Sequence, residues 1–360
     1  MKIAILNFPL DNNYGGMLQR YALIHVLQKM GHEPTHLFTK FYFQNPPFIE
    51  ILKRTLYTLV HFKIPTNLNP AKKEQLKYEN EIKKILPFYN KYIPHTDPID
   101  SPQKLFSYND FDAFLVGSDQ VWRRSMSSKF PFESMFFNWI KKVNTKKIAY
   151  GISFGLNHHE IPEAELSNLS KLYKTFYAVS VRENSAIDIL SSLNWTKPKA
   201  ELVLDPTLLL DKEEYLKLIA NGNTETSKGN LFCYLLDSSE TATKTIQEKA
   251  LENDLHPFYW GGGSNKTCSI EQWLRSFVDA EYIITDSFHG CIFSIIFNKP
   301  FTLVINKRRG MARFESLFNL LKISEAQQHF DWEFINLRLN ELKQKSICFL
   351  KQALAPIEKR

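Results

Sequence analysis

The chain has 360 residues, 44% hydrophobic and 23% charged, which excludes a disordered or fibrous polypeptide and exceeds the size at which one hydrophobic core keeps growing. Its 45 Lys and Arg against 38 Asp and Glu leave a net charge of +7; the surplus is scattered and forms no basic stripe, so small anions suit it better than nucleic acid. The four cysteines (Cys233, Cys268, Cys291, Cys348) show no CxxC or zinc-type spacing, the usage of reduced thiols in a cytoplasmic protein, and no metal or cofactor is expected.

The opening Lys2–Phe8 predicts a compact buried strand, too short for a signal peptide and closed by Pro9 and the polar turn Asp11-Asn12-Asn13. Helical spacing of Leu18, Ala22 and Val26 with Leu23, Leu27 and Met30 predicts a helix over 16–30, stopped by Gly31. A strand, a glycine turn and a helix open a parallel α/β sheet. Residues 41–100 break the pattern. Within them Phe48–Lys63, bracketed by prolines, reads as an aromatic, basic, amphipathic helix. Two readings stand for it: an insertion that acts as a lid or grazes the inner membrane face, or a plain packed surface helix. Strand and helix then alternate again. Strands are predicted at 111–116, 147–153, 178–182 and 202–204, with a helix at 186–193. A helix at 212–220 leads into the turn-rich stretch Asn221–Gly229, and a second α/β set follows. Its strands are predicted at 231–236, 257–260, 282–285 and 301–305, its helices at 240–253, 270–280 and 289–297. The fold class is therefore α/β, with two Rossmann-like domains, 1–205 and 206–360. A last helix over 335–354 is placed to cross back to the first. No stretch approaches the ~20 apolar residues of a membrane span.

In open α/β sheets ligands sit beyond the carboxyl ends of the strands, so polar clusters there are the candidates for chemistry. Asn13-Tyr14-Gly15-Gly16 enters the first helix, where two glycines permit close approach of a ligand; it is not the GxGxxG of dinucleotide binders. Ser118-Asp119-Gln120-Val121-Trp122 offers a carboxylate, an amide and an indole, the groups that suit sugar hydroxyls and a sugar's apolar face; the alternative is a capping Asp beside a core Trp. Arg182 ends a strand and suits a carboxylate or phosphate, or else pairs with a structural acid such as Glu183. Asp286-Ser287-Phe288-His289-Gly290 sets an imidazole at a helix start, where the helix dipole favours anions and where a side chain of this type moves protons near neutral pH. Lys307, Arg308, Arg309 and Arg313 follow the next strand, as phosphate ligands or as a solvated face.

In this order the clusters resemble the polysaccharide pyruvyl transferase family. The matching runs are Asn13–Gln19 with Tyr21-Ala22-Leu23, Gly117–Trp122, Lys147–Gly155, Ser180–Glu183, Val203–Thr207 and Thr285–Gly290, and they span nearly the whole chain from Lys2 to Leu320 except for 41–100. The resemblance implies a GT-B-like pair of domains facing across a cleft, with phosphoenolpyruvate as co-substrate. A sugar diol, free or lipid-linked, would accept the enolpyruvyl unit as a cyclic pyruvate ketal. It implies that Arg182 holds the donor, that His289 is the acid or a donor ligand, and that Asp119 or Asp286 takes a proton from the sugar. A cation among Lys307, Arg308 and Arg313 would meet the phosphate. Many members carry Arg two positions before the motif histidine; Ser287 stands there in this chain, which shifts that charge balance toward Arg313. A nucleotide-sugar glycosyltransferase and a non-catalytic sugar or anion binder are the alternatives.

Overall fold

The computed structural model describes the chain apart from residues 42, 44–51, 54–56, 58–59, 61–69, 128–129, 143–144, 264–266, 306–309, 325–329 and 357–360. Most of the predicted segment 48–63, and the cations Lys307, Arg308 and Arg309, thus lie outside the described residues. Six strands, β1 (Lys2–Leu6), β2 (Glu33–His36), β3 (Ala113–Gly117), β4 (Lys146–Ile152), β5 (Ala178–Val181) and β6 (Ala200–Leu202), form one sheet in the order β2-β1-β3-β4-β5-β6. Four more, β7 (Leu231–Tyr234), β8 (Pro257–Phe258), β9 (Tyr282–Thr285) and β10 (Phe301–Leu303), form a second in the order β10-β9-β7-β8. Every pairing in both sheets is parallel.

The helices are α1 (Tyr14–Lys29), α2 (Pro70–Ile82), α3 (Leu86–Tyr92), α4 (Glu163–Tyr173), α5 (Asn184–Ser192), α6 (Lys212–Ala220), α7 (Glu240–Glu252), α8 (Ile270–Asp279), α9 (Phe288–Ile296), α10 (Ala312–Leu321) and α11 (Trp332–Leu354). Parallel strands covered on both sides must be apolar on both faces. Ile3 to Leu6 and Ala113 to Gly117 are buried throughout. The twofold alternation of a strand sends Ile3, Ile5 and Leu115 into one core and Ala4, Leu6, Phe114 and Val116 into another. The first of these cores also contains Trp273, Phe277 and Phe293 of the second sheet's helices, so it is common to both halves.

Helix α1 lies at the centre of that shared core. It is buried almost all round, as a helix covered on every side must be. Asn13 caps it, its Oδ1 accepting from Gly16 N at 3.1 Å. Helix α11 runs back to the first sheet. Lys146 on β4 donates to the carbonyl of Ala353 at 2.9 Å, and Leu204 N donates to Ser346 Oγ at 2.9 Å.

The element boundaries correct the sequence in places. The predicted strand 202–204 is β6 at Ala200–Leu202, and β2, α2, α3, α4 and α10 were not anticipated. Among the described residues no helix is long and apolar enough to cross a membrane.

The strand orders locate the site. In each sheet the order in which the chain lays down the strands reverses once, between β1 and β3 in the first and between β7 and β9 in the second. Crevices beyond the carboxyl ends of strands open at such reversals.

Candidate active site

Both reversals open onto a single cleft of about 380 Å³. The first half contributes Asp11, Asn12, Asn13 and Tyr14 from the β1–α1 turn and Asp119 and Gln120 from the end of β3. The second half contributes Tyr234, Leu236, Asp286, Ser287, Phe288, His289 and Arg313. A larger hollow of about 760 Å³ lies between α7 and β8, but its lining is mainly apolar and includes no charged side chain. Of these two, only the smaller cleft gathers titratable groups from both sheets, and that convergence makes it the candidate site.

His289 stands in the first turn of α9, whose cap is Ser287, accepting from Gly290 N at 3.3 Å. The imidazole is nearly buried and lies against Gly15 at the start of α1, so closely that a Cβ on residue 15 would run into Cγ and Nδ1 of the ring. Its Nε2 has no hydrogen bond, and Asp205 Oδ2 stands 3.8 Å away. Asp205 is itself heavily engaged. Oδ2 accepts from Arg182 Nη1 and Gln19 Nε2, both at 2.6 Å, and Oδ1 accepts from Thr207 N at 3.1 Å and Thr207 Oγ1 at 2.7 Å. Burial raises the Asp205 carboxyl, but His289, Arg182 and Thr207 outweigh it and hold the group well below the usual carboxylate range.

Asp119 sits in an unusual turn. Ser118 and Asp119 follow one another with φ of 46° and 71°, a left-handed conformation that costs non-glycine residues strain and concentrates at functional sites. The turn presents the half-buried Asp119 to the cleft while its Oδ1 meets Arg182 Nη2 at 3.4 Å. Burial raises this carboxyl too, yet Arg182, His289 and Arg313 together lower it below its ordinary value. Arg182 and Arg313 share one neighbour, each guanidinium 5.2 Å from the centre of the Phe288 ring. Burial and the adjacent Arg182 pull the Arg313 guanidinium down to about 10.

Of the residues singled out from sequence, Asn13, Tyr14, Asp119, Gln120, Asp286, Ser287, His289 and Arg313 share the cleft. Others require correction. Trp122 does not offer a face to a sugar: it is wholly buried and stacked on Phe136, with centroids 4.9 Å apart and planes 7° apart. Arg182 lies behind the cleft wall, its charge spent on Asp205, Asp119 and Glu183, so it shapes the site without reaching into it. Ser118 is fully buried and accepts from Gln19 Nε2 at 2.9 Å. Gly290 packs on Thr285, whose side chain leaves no room for a Cβ, and Gly16 serves the α1 cap. Asp286 lines the cleft, but its two oxygens accept from the backbone N–H groups of Leu236 at 2.6 Å and Asp237 at 3.1 Å. That makes it a clamp on the loop after β7, with both oxygens already engaged. Tyr14 reaches across to the second half, its hydroxyl bonded to Cys268 N and O, each at 3.1 Å.

Sequence reasoning did not assign roles to Asp205, Gln19 or Asp11. The first two lie in the motif runs quoted above, which was the available signal. Asp11 is a half-buried wall of the cleft, pushed up to about 6 by burial, with Asp119 adding to the rise and Arg20 opposing it. Among the described residues no group of three or more His, Cys, Asp or Glu side chains could hold a metal ion.

A family model for polysaccharide pyruvyl transferases matches residues 13–308, which takes in every cleft wall except Phe8, Asp11, Asn12, Arg313 and Phe314. The chain belongs to that family. Membership makes it a transferase. No curated protein matches it significantly. Solved structures similar over nearly the full length include a glycosyltransferase from Rickettsia africae ESF-5, with 11% identity over 99% of both chains and a TM-score of 0.49. Another is a UDP-N-acetylglucosamine 2-epimerase from Rickettsia bellii, with 8% identity over 98% of this chain and 99% of that one, at a TM-score of 0.45. Likeness of this degree says nothing about the substrate of this family member. The two parallel sheets with one cleft between them are, on their own topology, the GT-B-like arrangement.

Proposed function

We propose that the protein transfers the enolpyruvyl unit of phosphoenolpyruvate onto two hydroxyls of a sugar in a polysaccharide or its lipid-linked precursor. The products are a pyruvate ketal and inorganic phosphate. The observation that carries this reading, beside family membership, is the division of the cleft. Arg313 and His289, a cation and a proton-donating group, stand on one wall beside Asp286, whose two oxygens already accept from backbone N–H groups; the carboxylates and amides of Asp11, Asn12, Asn13, Asp119 and Gln120 stand on the other. A donor with a carboxylate and a phosphate close together needs cations and a helix N-terminus. A sugar diol needs acceptors and amides for its hydroxyls.

The chemistry follows from that division. His289 gives a proton to the methylene carbon of the donor, and positive character develops at the carbon bearing the phosphate. One sugar hydroxyl adds there and phosphate leaves; the second hydroxyl closes the ring. Of the two hydroxyl protons lost, one balances the new methyl group and the other leaves with phosphate or solvent. Asp119 or Asp11 is placed to take the first of them. Arg182, behind the wall, holds Asp119 in place.

Incubation of the full chain with phosphoenolpyruvate and a panel of galactose-, mannose- and glucose-containing acceptors tests the proposal. Mass spectrometry should show acceptor plus pyruvate minus water, with one phosphate released per product. No such product with any acceptor, together with nucleotide release from a sugar nucleotide, would replace it with a glycosyltransferase reading.

A further inference from the structure

We propose that Asp205 is the positioning residue of this centre, fixing the imidazole of His289 from the opposite half of the molecule and tying it to Arg182. The inference rests on the reading of His289 as the proton donor. Asp205 follows β6 and is 3% exposed, so it does not reach the cleft. Its own place is over-determined. Thr207 occupies Oδ1, and Gln19 and Arg182 converge on Oδ2 at 2.6 Å each. A buried carboxylate held by that many donors keeps its position whether or not substrate is present.

The imidazole has far less to hold it. One edge abuts Gly15, and Nε2 has no hydrogen-bond partner, with Oδ2 of Asp205 at 3.8 Å as its anionic neighbour. The other charged groups acting around it are Asp119, from the end of β3, and the guanidiniums of Arg182 and Arg313, both against the adjacent Phe288. A carboxylate so placed at Nε2 selects the ring orientation and leaves Nδ1 as the nitrogen that gives its proton to carbon, with the two nitrogens in exchanged roles relative to hydrolytic triads, where a buried Asp orients the ring through Nδ1. Arg182 then acts at one remove. Its ion pairs to Asp205 and Asp119 hold one anion beneath the imidazole and another at the cleft wall.

The test compares wild type with Asp205→Asn, each labelled with [15N]histidine, His289→Gln identifying the His289 resonance. In wild type the Nε2 nitrogen should show a single tautomeric state, protonated toward Asp205. In a folded Asp205→Asn protein that signature should vanish and kcat should fall by roughly 10²-fold while KM for phosphoenolpyruvate stays within about threefold. The loss should not recur when Asp205→Asn is added to His289→Gln, because groups acting as a unit are not additive. An unchanged His289 resonance with unchanged kcat overturns the assignment, as does a loss confined to KM. Should Asp205→Asn not fold, the wild-type spectrum decides: mixed, freely exchanging tautomers at His289 overturn it. Absence of any pyruvylated product from wild type would defeat the functional reading alone, since the resonance experiment needs no substrate.

Discussion

Position 15 tolerates no side chain, because the ring of His289 occupies the space a Cβ would need. Gly15→Ala should therefore displace the imidazole. A shift of about 1 Å in a reacting group can cost about 10²-fold in rate, so kcat should fall on that scale while the melting temperature changes little; near-normal turnover would mean the ring has room to spare. Trp122 gives the opposite pattern. Trp122→Ala removes a fully buried indole and should cost about 3–5 kcal/mol in denaturant unfolding, with KM unchanged. Asp11 carries a pH signature. Its carboxyl, ordinarily at 3.8, is raised to about 6, so its contribution to stability is full below 3.8 and lost as pH rises through about 6. Asp11→Asn should stabilise the fold above that pH by up to about 3 kcal/mol, measured as urea midpoints at pH 5 and 7.5. Residue types were legible in the sequence, where His289, Asp119 and Arg313 each stood at a strand end or helix start. Depth was not. Arg182 and Trp122 have the right chemistry for ligands, and only the fold reveals that aromatic packing and buried acids have claimed them.

Elements with strong apolar patterns, β1, β3, α1, α8 and α9, were readable because they are buried on two or more sides. Those that escaped notice lack that signal. Strand β2 is Glu-Pro-Thr-His, with a proline tolerated because the strand lies at the sheet edge. Helix α4 buries only Leu169 and Tyr173, too few to mark a stripe. Among the later elements, helix α11 packs on β4 and receives Leu204 N on Ser346. Leu350 is fully buried there. Leu350→Ala should cost about 2–5 kcal/mol and lower the urea midpoint without altering KM for either substrate; a neutral result would show the helix to be loosely docked.

At the scale of the whole molecule, the two sheets reverse their strand order at corresponding places, and the lining of the cleft is split between them. The halves meet through α1, where the Tyr14 hydroxyl both gives and receives a bond at Cys268. Tyr14→Phe leaves a buried N–H and a buried carbonyl without that partner, a cost of about 1–3 kcal/mol. It should appear as a lower melting temperature; no change would show that water replaces the hydroxyl. The contact between Gly15 and His289 has a practical consequence for redesign. Exchanging the first half for that of another family member would demand a glycine at the start of its first helix; any larger residue there would jam the histidine of the second half. Chimaeras assembled without that glycine would be soluble, well folded and inert.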